Sequence, residues 1–300
     1  MAAWNTLFDQ ARPAFSQQRT CQRARTLGLS VLTGLRRPTL SGLLCAAGQQ
    51  FRDWSAAFRL FERERLDGEA LWPVPLGGLL DTLPPTSPGV ALLDDTLLRK
   101  RGRHIAGTSW RRDPLGPHCT DNFIWASRFL QISLALPEHP EAALGAARAI
   151  PVDLLHAPSP RKPSRRADPA YLISTDPTLS PQQILQTYLW PWEIELNFRD
   201  EKTLLGFGQP QVRSDPAVPT TATFFVFVYA LLRLARKNSP LAPSPLPRPR
   251  WQRLRPQRPH SRITTPQAIS LLRADLWASV WNCQIKTASL RQIPAQQSRS

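Results

Sequence analysis

The chain has 300 residues, enough for two domains or for one domain with appendages. Its apolar content of 42% excludes a wholly disordered chain, and its formal net charge of +16 points to a polyanionic partner. Most of the basic residues are arginines, a bias that a GC-rich genome also produces. The four cysteines form no CxxC pair, which argues against a zinc ribbon and against a disulfide scaffold.

The first 75 residues are predicted to be helical. Apolar residues recur with a helical period from Leu7 to Phe15. A short helix capped by Thr39 and closed by Gly48, followed by a second helix from about Asp53, fits a helix-turn-helix. The flanking basic residues are Arg36, Arg37 and Arg52. A plain helical bundle gives the same pattern, so both interpretations stay open.

The middle of the chain carries strand patterns. A Pro- and Gly-rich connector over residues 76–90 precedes them. The predicted elements are strands at Val90–Leu93, His104–Trp110 and Asn122–Leu134, a short helix at Ala142–Ile150 and a further strand at Tyr171–Thr175. Residues 151–170 are rich in Pro, Arg and Ser, so we expect an irregular segment there.

The next segment predicts a helix with a polar face. It opens with a capping box at Ser180–Gln183. Tyr188, Glu195 and Lys202 follow at seven-residue intervals, close to two helical turns each, and Arg199 joins the same face. A carboxylate beside cations and a phenol can hold a metal ion while the cations bind phosphates, which predicts phosphodiester chemistry on a nucleic acid. The alternative is a solvated charge, with Glu195 paired to Arg199 one turn later.

The C-terminal part combines an apolar helix with a basic tail. A helix is predicted over residues 221–236, and its apolar run is too short to span a bilayer, so we expect a buried helix and no membrane partner. Residues 237–300 carry 11 Lys and Arg against one acid, Asp275. Within them we expect an extended linker over 240–260 and a short helix at Gln267–Trp281. The N-terminus has no signal-peptide pattern, so we expect a cytoplasmic protein.

Two blocks of this sequence resemble a known family. Tyr188, Glu195 and Lys202 resemble the signature helix of bacterial insertion-sequence transposases of the DDE superfamily. The family pattern is Tyr, two residues, Arg, three residues, Glu, six residues, Lys. The stretch Val90–Thr96, an apolar strand ending in two acids and a threonine, resembles a second family block. Residues 203–213 are also similar to the family.

The resemblance implies an α/β fold with three parts. These are an all-helical N-terminal domain over 1–75 that binds DNA, an RNase H-like mixed sheet with helices over 76–236 that lacks a central segment, and a basic tail over 237–300. In the family, three carboxylates converge on two divalent ions, which implies Mg²⁺ or Mn²⁺ as the cofactor.

The resemblance also assigns roles to single residues. It implies Asp95 and Glu195 as metal ligands and catalytic acids. Tyr188, Arg199 and Lys202 are the implied DNA contacts. Asp94 is an alternative to Asp95, but successive residues of a strand point to opposite faces, and the family acid directly precedes the threonine.

The middle acid of the family has no clear counterpart. Only 99 residues separate Asp95 from Glu195, and the segment that should bear the fourth strand is absent. We interpret this as an internal deletion near residues 167–168. Asp153 and Asp176 are the alternatives for the middle acid, although Asp153 precedes the missing strand and Asp176 follows the next one.

Pro191 stands where the family has its arginine. Proline cannot donate the helical hydrogen bond and predicts a kink one turn before Glu195. The sequence therefore predicts a DDE-type transposase of an insertion sequence, degenerate and catalytically impaired, that binds the DNA of transposon terminal repeats. The alternatives are a non-catalytic DNA-binding remnant that competes with a full-length transposase, and a remnant without a stable fold. A homodimer is left open.

Overall fold

The described residues form a mixed α/β protein with a small antiparallel sheet of four strands. The computed structural model describes residues 2–35, 37–63, 65–83, 90–113, 122–137, 147–157, 180, 192–236 and 263–280. Their helices are α1 Ala2–Gln10, α2 Gln18–Thr33, α3 Leu40–Ala46, α4 Ser55–Glu62, α5 Pro73–Leu80, α6 Trp192–Asp200, α7 Ala217–Ala235 and α8 Thr265–Val280. The strands are β1 Val90–Arg99, β2 Ser109–Arg112, β3 Phe123–Pro137 and β4 Ala147–Ala157.

Helix α7 occupies the centre of the core. Every residue from Thr221 to Leu234 is buried, so protein surrounds this stretch of the helix, whose residues are mostly apolar. By length and composition α7 could cross a bilayer, but 89% of its apolar stretch is buried inside the protein. The prediction of a buried helix is confirmed.

The N-terminal helices pack around α7 through aromatic side chains. The rings of Phe8 and Trp72 lie with their centroids 6.0 and 6.4 Å from that of Phe227. The ring of Phe61 lies 5.5 Å from that of Phe224. Edge-on aromatic pairs at these distances stabilise a core beyond their buried area.

The two short helices predicted after residue 39 are confirmed. Thr39 caps α3, because its Oγ1 accepts a hydrogen bond from the Gly42 N–H at 3.1 Å. Gly48 follows α3 in the left-handed conformation, with φ of 68°. At the start of α4 the Asp53 carboxylate accepts the Ser55 N–H at 2.9 Å.

Strand β3 is the centre of the sheet. β1 pairs with one edge of β3, and β2 and β4 pair with different lengths of the other edge. Each of these three strands pairs only with β3 and runs opposite to it. Every pairing among the four strands is therefore antiparallel. The prediction was a mixed sheet, whereas these four strands form an antiparallel one. The strand predicted at Tyr171–Thr175 lies outside the described residues.

β1 and β3 begin at or next to their predicted first residues, whereas the strand predicted at His104–Trp110 is wrong for residues 104–108, which precede β2. β4 was not predicted. The helix predicted over Ala142–Ile150 is wrong for residues 147–150, and the irregular segment is wrong for residues 151–157, since both belong to β4. The free edge of β3 offers a ladder of hydrogen bonds that overrides local helix propensity. Pro151 is tolerated next to an irregularity in the pairing at Ile132 and Ser133.

The two faces of β1 differ in burial. Leu92, Thr96 and Leu98 are buried, whereas Leu93 is 59% exposed. We call these the inner face and the outer face of the sheet. Helix α6 contacts both β1 and β4, which lie on opposite sides of β3, and so crosses one face of the sheet.

The C-terminal helix belongs to the core. Ala268, Ile269 and Leu272 of α8 are buried in the same apolar cluster as the N-terminal helices and α7. An ion pair between Arg236 and Asp275, at 2.7 Å, ties α8 to the end of α7. The prediction of a helix near Gln267 is confirmed, and residues 281–300 lie outside the described residues.

Gly206 and Gly77 give a matched test of this packing. Gly206 has φ of 71°, and a Cβ there would lie 2.1 Å from Pro38 Cγ, whereas nothing lies within 4 Å of a Cβ at Gly77 in α5. We expect Gly206→Ala to lower the free energy of unfolding by about 2 kcal/mol. Gly77→Ala should raise it by about 0.5–1 kcal/mol. Urea denaturation measures both values, and equal shifts in the two variants would contradict the packing described for Gly206.

Candidate functional site

Asp95 lies on the outer face of the sheet in a bidentate ion pair. The Arg128 side chain on β3 donates from Nε to Asp95 Oδ2 at 2.7 Å and from Nη2 to Asp95 Oδ1 at 2.8 Å. These hydrogen bonds raise the pKa of Arg128. Both carboxylate oxygens of Asp95 are thus engaged by a cation of the protein itself.

Asp94 lies on the inner face. It is the direct cross-strand partner of Gln131, a fully buried residue of β3, so the two side chains point to the same face. Burial raises the pKa of Asp94, and the adjacent Asp95 charge raises it further, while a hydrogen bond from the Asp95 N–H lowers it. The structure thus places Asp94 on the inner face of the sheet, the face that the segment following α6 also covers. Asp95 lies on the outer face.

Glu195 lies on the exposed side of helix α6. The buried positions of the helix are Ile194, Asn197, Phe198 and Asp200, and Glu195 is exposed. The Arg199 guanidinium lies 3.1 Å from the Asp200 carboxylate, so its ion pair is with its sequence neighbour. Tyr188 and Pro191 lie outside the described residues.

Lys202 belongs to a π-helical turn, Glu201–Leu205, that follows α6 directly. A π-helical turn holds more residues than an α-helical one, so it rotates the side chains that come after it. Lys202 is half-buried, and burial lowers its pKa, while the charges of Glu201 and Asp113 raise it. The single face predicted from Glu195 to Lys202 is interrupted by this change of helix type.

Among the described residues, Asp95, Asp153 and Glu195 lie at separate places on the sheet and on α6. Asp153 lies in β4 on the same face as Asp95, but β3 runs between their strands, which puts them about 10 Å apart across the sheet. Asp153 accepts the Leu154 N–H at 2.7 Å. Glu195 is carried by α6, and Asp176 lies outside the described residues. A two-metal centre needs carboxylates around ions about 4 Å apart, and Asp95 and Asp153 are too far apart to share one.

The structure reveals a buried polar cluster that the sequence analysis did not predict. At its centre is Glu201, which is 1% exposed. The Gln131 amide hydrogen-bonds to its carboxyl group. Burial raises the pKa of Glu201 to about 8, with Lys202 lowering it and Asp200 raising it. At neutral pH this side chain therefore carries a proton inside the protein.

The cluster continues into α7 and α8 through Tyr229. The Tyr229 hydroxyl donates to Asn197 Oδ1 at 2.9 Å, and Asn197 Nδ2 donates to the Ala149 carbonyl at 2.9 Å. Arg233 lies over the Tyr229 ring at 5.9 Å and donates to Thr265 Oγ1 at 3.4 Å. Burial raises the pKa of Tyr229 far above its ordinary value. Hydrogen bonds of this kind fix the relative positions of α6, β4, α7 and α8.

A signal for this cluster is present in the sequence. Asn197 and Glu201 are four residues apart, and both fall on the helical spacing set by the buried Ile194. Tyr229 and Arg233 are also four residues apart, inside an otherwise apolar run. Polar residues at apolar helical positions predict buried hydrogen-bonded partners.

No family model, no curated protein and no solved structure matches this chain. Within the described ranges, no group of three His, Cys, Asp or Glu side chains is placed to hold a metal ion. The transposase resemblance therefore rests on the motifs of the sequence.

Glu201 makes folding stability depend on pH. The unfolded side chain ionises at about 4.5 and the folded one at about 8, so between these values only the unfolded chain has lost the proton. Stability should fall as the pH rises through this window, by up to about 1.4 kcal/mol per pH unit. We expect Glu201→Gln, which does not titrate, to flatten this dependence and to stabilise the chain at pH 7. Urea unfolding between pH 5 and 8 measures it.

Glu195→Gln is the matched control, since it makes the same chemical change at an exposed position of the neighbouring helix. It should keep the pH dependence of the unmodified chain. An unchanged pH slope in Glu201→Gln would contradict the assignment of the buried proton to Glu201.

Proposed function

We propose that this chain is a DNA-binding protein related to DDE transposases, which binds the terminal repeats of an insertion sequence without cutting them. The observation that carries the proposal is the charge distribution of the helical N-terminal part. Residues 10–52 contain no acid, and their seven arginines are Arg12, Arg19, Arg23, Arg25, Arg36, Arg37 and Arg52. An excess of arginine over acidic residues attracts the phosphate backbone of DNA.

The positions of the acids support binding over strand transfer. Asp95 would have to leave its ion pair with Arg128 before it could bind a cation. Glu195 is exposed on a helix that packs across the sheet, not beside Asp95. Strand transfer needs both acids and a third at one pair of ions, so the described residues favour a protein that occupies DNA ends.

This function would make the chain a competitor of a full-length transposase. A protein that binds the same terminal repeats and does not cut them lowers the fraction of ends available to an active enzyme. Its effect would depend on its concentration and on its affinity, and not on a metal ion. An active transposase requiring Mg²⁺ or Mn²⁺ is the second candidate, favoured by the motif residues alone.

The first test is the salt dependence of binding to duplex DNA. If six or more phosphates are neutralised, the logarithm of the binding constant should fall against the logarithm of salt concentration with a slope of about −5 or steeper. Fluorescence anisotropy with the terminal sequence of the element measures this slope. A slope near zero would remove DNA binding as the activity of the chain.

The basic tail can be tested without removing α8 from the core. Residues 237–262 contain seven Lys and Arg and no acid. Replacing all seven with Gln should flatten the salt slope, whereas deletion of residues 237–300 would also remove a core helix. A variant in which residues 237–262 are shuffled at constant composition is the control, and it should keep the slope.

The second test is end cleavage with Mg²⁺ or Mn²⁺. We expect none from the unmodified chain and no rescue by Pro191→Arg, because the loss of one catalytic carboxylate costs several powers of ten in rate, each about 1.4 kcal/mol. Cleavage of labelled terminal repeats on a sequencing gel measures it. Magnesium-dependent cleavage abolished by Glu195→Ala would contradict the proposal and identify a catalytic centre.

A further inference from the structure

A cavity of about 330 Å³ opens between the start of α2, α4 and the segment after α4. Three arginines line it: Arg19, Arg23 and Arg65. Ser16 and Thr20 add hydroxyl groups to the lining. Arg19 and Arg23 are four residues apart on α2 and so lie on one side of that helix.

Backbone pairing brings Arg65 to the other two arginines. Phe15 and Leu66 form an antiparallel bridge. Beside it, the Ser16 N–H donates to the Arg65 carbonyl at 3.1 Å, and the Asp67 N–H donates to the Ala14 carbonyl at 2.8 Å. Two segments about fifty residues apart in sequence are thus held together at the cavity.

These guanidinium groups differ from two other arginines, Arg25 of α2 and Arg12 just before α2. Arg25 forms an ion pair with Asp9, and Arg12 donates to Gln18 Oε1 at 2.8 Å. Among the described residues, no carboxylate lies within ion-pair distance of Arg19, Arg23 or Arg65. Like charges around one cavity repel each other, and an anion bound between them relieves that repulsion.

We propose that this cavity binds phosphate groups of a nucleic-acid backbone. Arginine matches phosphate with paired N–H donors, and the hydroxyl groups add further donors. A water molecule takes about 30 Å³, so the cavity has room for a phosphodiester with part of its sugar. This inference rests on the proposed function and names the surface through which DNA is bound. Free phosphate presents the same chemistry, and the experiment separates the two sources.

The test compares two triple variants of the full chain that lose the same charge. The cavity variant is Arg19→Gln/Arg23→Gln/Arg65→Gln. The control variant is Arg101→Gln/Arg103→Gln/Arg112→Gln, at exposed positions far along the chain. A 20-bp duplex and inorganic phosphate are the two probes, with anisotropy for the duplex and thermal stabilisation for phosphate. Melting of the unliganded variants shows that both fold.

We expect the cavity variant to bind the duplex at least tenfold more weakly at 100 mM salt, with a salt slope smaller by about two, since each phosphate contact contributes about 0.9. The control variant should change the slope by less than one. Equal weakening of the two variants would overturn the proposal, because the cavity would then contribute charge only.

The measurements with inorganic phosphate distinguish failure of this inference from failure of the proposed function. One outcome is that phosphate stabilises the unmodified chain but not the cavity variant, and that the unmodified chain does not bind the duplex. This outcome would establish an anion site, but it would overturn the proposal that its ligand is a nucleic acid, and the proposed function with it. Duplex binding that the cavity variant retains in full would overturn the cavity and leave the proposed function intact.

Discussion

The burial of α7 is the constraint on which the rest of the structure depends. A helix that is apolar on all sides has no face for water, so protein must cover its whole circumference. The N-terminal helices cover one side, β4 lies along another, and α8 returns from the C-terminal region to close the remainder. The parts of the chain before and after the sheet therefore share one apolar cluster. Removing the N-terminal helices, β4 or α8 would expose apolar surface of α7 to water.

The same constraint explains the buried polar cluster. A 19-residue helix that carries Tyr229 and Arg233 into the core must give each of them a partner. Asn197 and Thr265 supply partners from two other helices. Apolar contacts alone allow helices to slide past one another, whereas hydrogen bonds between named atoms fix their positions. The π-helical turn after α6 belongs to this arrangement, because it begins at the buried Glu201.

Periodicity predicted those elements whose signal is local. The cap at Thr39 and the apolar run of α7 are visible in short stretches of sequence, and both were confirmed. β4 was missed because its stability comes from the free edge of β3, which no local pattern shows. The position of Glu195 could not be predicted either. Spacing shows which side chains share a face of a helix, but the row of buried residues beginning at Ile194 decides which face turns inward.

The pair Asp94 and Asp95 has a consequence for how β1 finds its place. The strand carries leucines on both faces, at 92 and 98 on one and at 93 and 97 on the other. Hydrophobicity therefore discriminates poorly between the observed register and one shifted by a single residue, which would turn the outer set inward. A shift in one direction would put Thr96 where Arg128 now binds Asp95, so the ion pair would be lost. A shift in the other direction would put Asp94 there, but it would turn Asp95 to the inner face, opposite the buried Phe129. The ion pair thus disfavours one shifted register, and the cost of burying the Asp95 charge disfavours the other.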